Sequence, residues 1–521
     1  MTPGDAGNAR NTSSTAALST STDSTEAKPT PRDGLVAVVK RDCPTCELVA
    51  PVLADIEARD SLTVFTQDDP LFPEAVSARV RDDDLSFSWH HDIETVPTLM
   101  RFVGGQERGR IVGWSRAEWE SFTGLEALGV QLPEHRPGCG SLSVDPAHAE
   151  VLAARFGGST MTARRVEFGS QEDVHEAMFD RGWSDGLPLV PPTAARVAAM
   201  LAGTSRAPSE VVANVAPDLT DCTVEKAAVN AVMAGCRPEY FPVVLAALTA
   251  VCNDTFNMHG LLATTMPVGP VLVVNGPIAR DIGMNSGMNV FGQGNRANST
   301  IGRAVQLIVR NVGGGRPGEV DRAALGQPGK VGFCFAEIED EHDTQADGSA
   351  GNTAARGCWA PLCTDFGYPA GTNTVTAFPG EAPRSVVDQL ARDPESLART
   401  LAAALIALHH PKLVLGFDAL LAIAPDHARV FIDSGWTRNQ IAERINELTT
   451  RPGAELVRGA GGIAEGVPEF LAGSNLPKFR EGGLHLVYCG GGAGLFSAVI
   501  GGWVNGEVGA QPVCVEINPW R

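Results

Sequence analysis

Short apolar runs alternate with longer amphipathic segments along most of the chain. Residues 35–40 (LVAVVK) have the composition of a buried strand, and residues 47–58 (ELVAPVLADIEA) have the spacing of an amphipathic helix. Residues 270–278 (PVLVVNGPI) predict another buried strand, and residues 298–311 (NSTIGRAVQLIVRN) predict a helix. Alternating strands and helices predict an α/β protein, with a larger α/β domain of mixed topology in the C-terminal part.

Composition divides the chain into four parts. Residues 1–33 are rich in Ser, Thr, Ala, Gly and Pro and lack an apolar signal region, so they predict a disordered tail. Residues 34–128 predict a compact first domain. Residues 129–166 contain several Pro and Gly and predict a linker that carries Cys139. Residues 167–521 show no internal repeat and predict one large catalytic domain.

Charge and cysteine content narrow the functional classes. The chain has 41 basic and 61 acidic residues, a net charge of −20, which disfavours binding to nucleic acid. No apolar run reaches the roughly 18–20 residues that a membrane-spanning helix needs. The 11 cysteines are an odd number in a long chain, unlike a secreted disulfide framework. We therefore expect a cytoplasmic protein that binds neither nucleic acid nor a membrane.

The first predicted strand leads into the motif CPTC, residues 43–46, and then into the first predicted helix. This order places Cys43 at the helix N-terminus, where unpaired N–H groups and the helix dipole stabilise a thiolate. Cys46, one turn later, can resolve a mixed disulfide formed at Cys43. The alternatives are an inert pair or half of a zinc site. No second Cys-x-x-Cys follows to complete such a site, so we predict no metal.

A proline precedes the next predicted strand. Val96-Pro97-Thr98 leads into an apolar run, and an X-Pro bond entering a strand beside a Cys-x-x-Cys motif is expected to be cis. CPTC, this proline and a hairpin with Gly113 follow one another in an order that resembles the thioredoxin family. The resemblance implies a thioredoxin-like fold for residues 34–128, a redox-active dithiol, an external thiol reductant such as thioredoxin, and contact of Pro97 with substrate.

Three further cysteines are candidate nucleophiles. Cys139 lies in the turn Pro-Gly-Cys-Gly-Ser, Cys236 ends a predicted helix, and Cys334 lies on a predicted strand. Cys139 is either a reactive thiol that the CPTC pair reduces or a small side chain that fills a gap in the turn.

The densest polar stretch is residues 283–304 (GMNSGMNVFGQGNRANSTIGRA), where side-chain amides and an arginine lie in a Gly-rich loop before a helix. Such a loop can bind an anion or a carbonyl oxygen, although Asn, Ser and Gly also serve turns. On the predicted helix 221–236, buried Lys and Asn side chains would either pair internally or face a site. The candidate substrate-binding residues here are Lys226, Asn230, His259, Asn275, Asn285, Asn289, Gln293, Asn295, Arg296 and Asn298.

Two more groups could take part in catalysis. Lys330 and Glu337 could supply a cation and a general base, or could be surface ions. Residues 484–503 (LHLVYCGGGAGLFSAVIGGW) predict a strand, a Gly-rich turn and a helix, so that Gly491 and Gly492 would present N–H groups to a ligand oxygen. The spacing is neither a Rossmann fingerprint nor a P-loop, and we predict no cofactor.

Five segments of the C-terminal part carry a second resemblance, which covers residues 130–521. DGLPLVPPT, TVEKAAVNAVMAGC, NGPI, GQGNRANSTIGRA and GGGAGLFSAVIGGW resemble a bacterial family of unassigned activity, known mainly through a thioredoxin-like front end. Relatives without that front end resemble partners of small UGSC-type selenoproteins. The resemblance implies a UGSC-type protein as a partner.

Together these features predict a thiol-dependent oxidoreductase. A cysteine, either Cys139 or one in the second domain, reacts with a small substrate, and Cys43 and Cys46 regenerate it. One alternative is a lyase, hydrolase or C–S bond-forming enzyme in which His259 acts with Lys330 and Glu337, and the first domain regulates or delivers sulfur. Another is a non-enzymatic redox scaffold. The low charge of the apolar helices favours a homodimer.

Overall fold

The computed structural model describes most of the chain in two compact units, Met1–Gly158 and Ser159–Arg521. The α/β class is confirmed. The division between the units falls inside the predicted linker 129–166, and the predicted tail lies outside the described residues as far as residue 30. The described residues are 31–145, 148–149, 152, 156, 161–164, 166, 168, 173–339, 359–503 and 510–518.

The first unit is built on a five-stranded mixed sheet. Its strands are β1 Gly34–Val39, β2 Leu62–Thr66, β3 Arg79–Arg81, β4 Thr95–Val96, β5 Thr98–Val103, β6 Gln106–Val112, β7 Trp114–Ser115, β8 His135–Arg136 and β9 Cys139–Gly140, and its helices are α1 Pro44–Arg59, α2 Ser86–His90 and α3 Arg116–Thr123. The sheet order is β3-β2-β1-β5-β6, with β1, β2 and β3 parallel and β5 and β6 antiparallel. Two small ladders, β4–β9 and β7–β8, attach the first part of the predicted linker to this unit.

Helix α1 begins as the sequence predicts. Cys43 is its N-cap and Pro44 occupies its first turn, where the missing N–H of proline costs no helical hydrogen bond. The apolar face of α1 packs in the core of the unit, and the side chains of Cys43 and Cys46 belong to that core. The Val96–Pro97 bond is cis, which confirms the prediction.

The second unit contains two four-stranded sheets and eleven α-helices among its described residues. Its strands are β10 Val211–Val215, β11 Thr220–Thr223, β12 Gly269–Asn275, β13 Cys334–Ala336, β14 Thr374–Gly380, β15 Arg384–Val387, β16 Ala419–Ile423, β17 Arg451–Pro452, β18 Asn475–Leu476, β19 Leu484–Tyr488, β20 Phe496–Gly501 and β21 Val513–Glu516. Its helices are α4 Val174–Asp180, α5 Ala194–Leu201, α6 Val224–Ala234, α7 Phe241–Val251, α8 Met258–Ala263, α9 Pro277–Asp281, α10 Arg296–Asn311, α11 Pro394–Ile406, α12 Pro425–Ile432, α13 Arg438–Thr449 and α14 Gly453–Leu456.

Alternate residues of the central strands enter different parts of the core. In β12, Val271 and Val273 contact apolar residues of the sheet that contains β16, whereas Leu272 and Val274 pack against helices on the opposite face. In strand β16, alternate residues likewise contact the sheet that contains β12 or pack against the helices α11, α12 and α13. The unit therefore has four layers, helices, sheet, sheet and helices. Burial on both faces explains why these strands are continuous apolar runs.

The two sheets share one topology, although the sequence shows no repeat. Their orders are β13-β12-β14-β21 and β19-β16-β20-β15, and in each the second strand is parallel to the first and antiparallel to the third. The edge strands are exchanged, because β15 follows β14 but pairs with β20, and β21 follows β20 but pairs with β14. The two halves of the unit are thereby interleaved.

One predicted element is wrong. The segment after the Gly-rich turn, at residues 496–501, forms strand β20 and not a helix, because it pairs antiparallel with both β15 and β16. Within the described ranges, no helix is both long and apolar enough to cross a bilayer.

Candidate redox site

The structure brings Cys43, Cys46 and Cys139 together in the first unit. The Sγ of Cys43 accepts a hydrogen bond from the N–H of Cys46 at 3.2 Å. Pairing of β9 with β4 places Cys139 opposite Val96, whose carbonyl oxygen is 3.6 Å from the Sγ of Cys43. The side chains of Cys46 and Cys139 are both close enough to the sulfur of Cys43 to influence its pKa. The CPTC pair thus has a third thiol as a neighbour.

The three thiols differ in acidity. Hydrogen bonds from the Cys46 thiol, the Cys139 thiol and the backbone at Thr45 and Cys46 outweigh burial and lower the pKa of Cys43 to about 5. Burial, followed by the interaction with Cys43, raises the pKa of Cys46 far above its usual range. Partial burial and the interaction with Cys43 also raise the pKa of Cys139. At neutral pH, Cys43 is therefore the thiolate and the other two thiols are protonated donors.

Residues 137–143, which we call the cover, lie over the CPTC pair. The hydroxyl of Thr45 donates to the carbonyl oxygen of Pro137 at 2.7 Å. The backbone at Gly138 is so close to β4 that a Cβ there would lie 2.4 Å from the Cγ2 of Thr95. The cover leaves Cys43 only 1% exposed, whereas Cys139 is partly exposed. Cys139 is therefore more accessible to a molecule in solution than Cys43.

A buried glutamine holds the cover in place. The Nε2 of Gln67 donates to the hydroxyls of Ser141 at 2.6 Å and Ser88 at 2.7 Å, and its Oε1 accepts from the N–H of Leu142 at 3.0 Å. Ser88 in turn donates to the carboxylate of Asp82. Nothing in the sequence points to Gln67, because one glutamine after a strand carries no motif and its partner Ser141 is 74 positions away.

The two candidate thiols of the second unit lie in its core. Cys236 and Cys334 are both buried, and burial raises the pKa of Cys236 to about 12 and that of Cys334 further. The thiol of Cys236 donates to the carbonyl oxygen of Thr300 at 3.3 Å. Buried thiols are inaccessible to a molecule in solution, so exposure favours Cys139, which is partly exposed, among the three candidates.

The amide-rich loop uses its side chains to hold its own backbone. Asn298 bonds to both the N–H and the carbonyl oxygen of Asn285, at 3.0 and 2.8 Å. Asn295 caps α10, and the Nδ2 of Asn289 donates to the carbonyl oxygen of Gln293 at 2.8 Å. The Nε of Arg296 donates to the carbonyl oxygen of Gly235 at 2.9 Å. These contacts match the turn-forming alternative and give no support to the ligand-binding one; the side chain of Gln293 is exposed.

The candidates around α6 and α8 form no common site. The Nζ of Lys226 donates to the carbonyl oxygen of Asp221 at 2.7 Å. Asn230 donates to the carbonyl oxygen of Lys226 and accepts from Asn311, at 2.9 and 3.0 Å, so it is paired internally. His259 is exposed on α8. Asn230 therefore matches internal pairing, whereas Lys226 is exposed, so its expected burial is wrong.

The Gly-rich turn was expected at a helix N-terminus, and this prediction is wrong. Gly491 and Gly492 lie in the connection between strands β19 and β20, so the helix that was expected to follow them in the chain is absent from this stretch of the described residues. The neighbouring Gly490 donates its N–H to the carbonyl oxygen of Ser286 at 2.8 Å, which joins this turn to the amide-rich loop.

Asn275 and Glu337 come together at the ends of β12 and β13. The Oε2 of Glu337 accepts from the Nδ2 of Asn275 and from the N–H of Leu362, both at 2.7 Å, and its Oε1 accepts from the N–H of Tyr488 at 3.1 Å. Burial raises the pKa of Glu337 to about 7, although Arg438 opposes this. A carboxyl that is 3% exposed and accepts three hydrogen bonds has a structural role.

The predicted acid–base set is not assembled in the second unit. The Nζ of Lys330 forms an ion pair with the Oδ1 of Asp321 at 2.7 Å. In the described part of the chain, no hydrogen bond or ion pair joins Lys330, Glu337 and His259. No group of three or more His, Cys, Asp and Glu residues among the described ones could hold a metal ion.

Comparisons of the chain with models of known protein families, with curated proteins and with solved structures found no match. The two resemblances that the motifs carry therefore stay predictions, and the function is argued from the thiol cluster itself.

Loss of the third thiol is expected to change the acidity of the nucleophile. The substitution Cys139→Ala removes one donor from the Cys43 sulfur, so the pKa of Cys43 should rise by about one unit, whereas Cys139→Ser retains a donor and should change it less. The ultraviolet absorbance of the thiolate in the reduced protein, followed against pH, measures this. An unchanged pKa in Cys139→Ala, or an equal rise in the matched variant Cys236→Ala, would contradict the assignment.

Proposed function

We propose that the protein is a thiol–disulfide oxidoreductase in which the Cys43–Cys46 dithiol regenerates Cys139. The observation that carries the proposal is the pairing of β9 with β4, which sets Cys139 opposite Val96, whose carbonyl oxygen is 3.6 Å from the Sγ of Cys43. This pairing places a nucleophile of low pKa next to the one thiol of the cluster that a substrate can reach.

The reaction balances in three exchanges. Cys139 attacks a small disulfide, R–S–S–R, and forms Cys139–S–S–R with release of one thiol. The Cys43 thiolate then attacks the sulfur of Cys139, which forms a Cys43–Cys139 disulfide and releases the second R–S⁻, and this takes up a proton. Cys46 loses its proton and attacks the sulfur of Cys43, which frees Cys139. The dithiol has then lost two electrons, and the substrate has become two thiols.

Regeneration of the dithiol requires an external thiol, which we infer to be thioredoxin or a low-molecular-weight thiol of the cytoplasm. Cys43 and Cys46 are both covered in the reduced protein, so this step needs movement of the cover. The strand–CPTC–helix order, the cis Pro97 and the parallel pairing of β1 with β2 support a thioredoxin-like assignment of the first unit. The UGSC-type partner and the homodimer rest on the sequence alone.

The relay is tested by trapping its second intermediate. In Cys46→Ser the last exchange is blocked, so treatment of the reduced variant with glutathione disulfide should accumulate a Cys43–Cys139 disulfide. Peptide mapping by mass spectrometry identifies it. The double variant Cys46→Ser/Cys236→Ser should behave in the same way, and Cys46→Ser/Cys139→Ser should retain only glutathione adducts. Glutathione adducts without the cross-link in Cys46→Ser would overturn the proposal.

A further inference from the structure

The C-terminal end of helix α10 carries buried nitrogen donors that lack acceptors. The Nε2 of Gln306, the Nε of Arg310 and the Nε of Arg316 are each buried without a hydrogen-bond partner among the described residues. Gln306 and Arg310 are four positions apart and share a face of the helix. The chain then turns back, with the N–H of Gly315 bonded to the carbonyl oxygen of Val309 at 3.0 Å, so that Arg316 returns to the same end of α10.

The two arginines repel each other. Burial, followed by the charge of Arg316, lowers the pKa of Arg310. The acidic groups that oppose this are Asp185, whose carboxylate is already bound by Arg303 at 2.7 and 2.8 Å, and the exposed Glu319. In the described ranges, neither Arg310 nor Arg316 forms an ion pair. Buried guanidinium Nε donors without acceptors are unfavourable, so the arrangement favours a bound anion.

The surroundings add positive charge. A Cβ at Gly269 would lie 3.4 Å from the Cγ of Lys330 and 3.5 Å from the Nε2 of Gln306, so these two side chains are neighbours. The N–H of Asp321, the partner of Lys330, donates to the carbonyl oxygen of Arg316 at 3.1 Å. Such a group of cations stands out in a chain whose net charge is −20. The helix dipole favours a cation at this end but leaves the buried Nε donors unsatisfied.

We propose that Gln306, Arg310 and Arg316 bind an oxoanion, the phosphate or carboxylate group of a small-molecule ligand of the second unit. Each guanidinium presents a planar pair of N–H donors that matches two oxygens of such a group. The amide of Gln306 supplies a further donor. Nothing in the sequence points to this site, because polar residues on one face of an amphipathic helix are typical of a solvated surface.

The test follows the thermal unfolding midpoint of the full-length protein against inorganic phosphate, with chloride keeping the ionic strength constant. The wild type should show a saturable rise of roughly 2–5 °C. Arg310→Gln and Arg316→Gln should lose the rise, and Arg429→Gln, which removes an exposed arginine paired with Asp426, should retain it. Malonate in place of phosphate shows whether a carboxylate ligand is preferred.

The free protein supplies a second readout. Because Arg310→Gln removes a repulsion, the variant should be at least as stable as the wild type without phosphate. If Arg310 had a purely structural role, the substitution would instead lower the stability of the free protein. Arg310→Lys, which retains the charge but not the planar donors, should fold and bind phosphate more weakly. No saturable rise with either anion, or a rise that persists in both glutamine variants, would overturn the proposal. Neither result depends on the thiol relay, which has its own test.

Discussion

Replacing Cys43 with serine is expected to slow the second exchange of the relay by at least about 100-fold. The reason is that the substitution removes the only thiolate in the cluster. The reduced protein is treated with dithionitrobenzoate, which labels Cys139, and release of the second aromatic thiolate is followed by its absorbance. In the wild type, Cys43 should displace that thiolate from Cys139. In Cys43→Ser, Cys46 is protonated and Cys139 is already labelled, so the adduct should persist.

The low pKa of Cys43 has a specific consequence for this rate. A shift from 9.0 to about 5 makes nearly every Cys43 a thiolate at neutral pH. However, nucleophilicity falls with pKa, with a Brønsted coefficient of about 0.4–0.5, which offsets most of that gain. The larger benefit comes when Cys43 is the leaving group, because the disulfides that it forms with Cys139 and Cys46 then break readily. We therefore expect a dithiol that external thiols re-reduce easily once the cover moves.

Cys236→Ser is the matched control for Cys43→Ser, because it removes a buried cysteine of the second unit, and it should release the second aromatic thiolate at the wild-type rate. In the wild type, the rate should fall as the pH decreases through about 5, where Cys43 becomes protonated. Equal rates in Cys43→Ser and the wild type would show that another thiol attacks the adduct.

Glu337→Ala is expected to lower the free energy of unfolding by about 3–5 kcal/mol. The substitution removes the acceptor of three buried donors, the Nδ2 of Asn275 and the backbone N–H groups of Leu362 and Tyr488. It also removes the negative charge that interacts with Arg438. Glu337→Gln has nearly the same volume and retains one acceptor oxygen, so it should cost less. Denaturant unfolding at a fixed pH measures both variants.

The pH dependence separates the charge of Glu337 from its volume. The folded pKa is raised to about 7 from the ordinary 4.5, so between these values the folded state binds more protons than the unfolded state. The contribution of this carboxyl to stability therefore falls as the pH rises from 4.5 to about 7. Glu337→Gln does not titrate, and the advantage of the wild type over it should shrink across that range. A difference that stays constant with pH would contradict the raised pKa.

Local patterns predicted much of the fold. The strand, the CPTC turn and helix α1 follow directly from apolar spacing and from Pro44 at the first helical position. The side chains of Thr193 and Thr223 cap the helices α5 and α6, as threonine commonly does just before a helix. These features depend on residues close together in the chain, so composition and spacing are sufficient to predict them.

Features that depend on contacts between distant parts of the chain could not be predicted from local sequence patterns. Residues 496–501 have no period that separates a strand from a helix, and only pairing with β15 and β16 decides the question. The composition of residues 283–298 is the same whether their side-chain amides bind a ligand or hydrogen-bond to the backbone of the loop. Only the folded backbone shows which partners they have. The common topology of the two sheets is likewise visible only in the strand pairing.

The thiol cluster illustrates which features the sequence determines and which depend on the tertiary structure. The sequence by itself determined the α/β class, the dithiol at a helix N-terminus and the cis proline beside it, because each of these follows from neighbouring residues. It left Cys139, Cys236 and Cys334 as equivalent candidates. Only the tertiary structure distinguishes them, because Cys236 and Cys334 are buried while Cys139 is partly exposed, and the pairing of β4 with β9 brings Cys139 close to Cys43, 96 positions earlier in the chain.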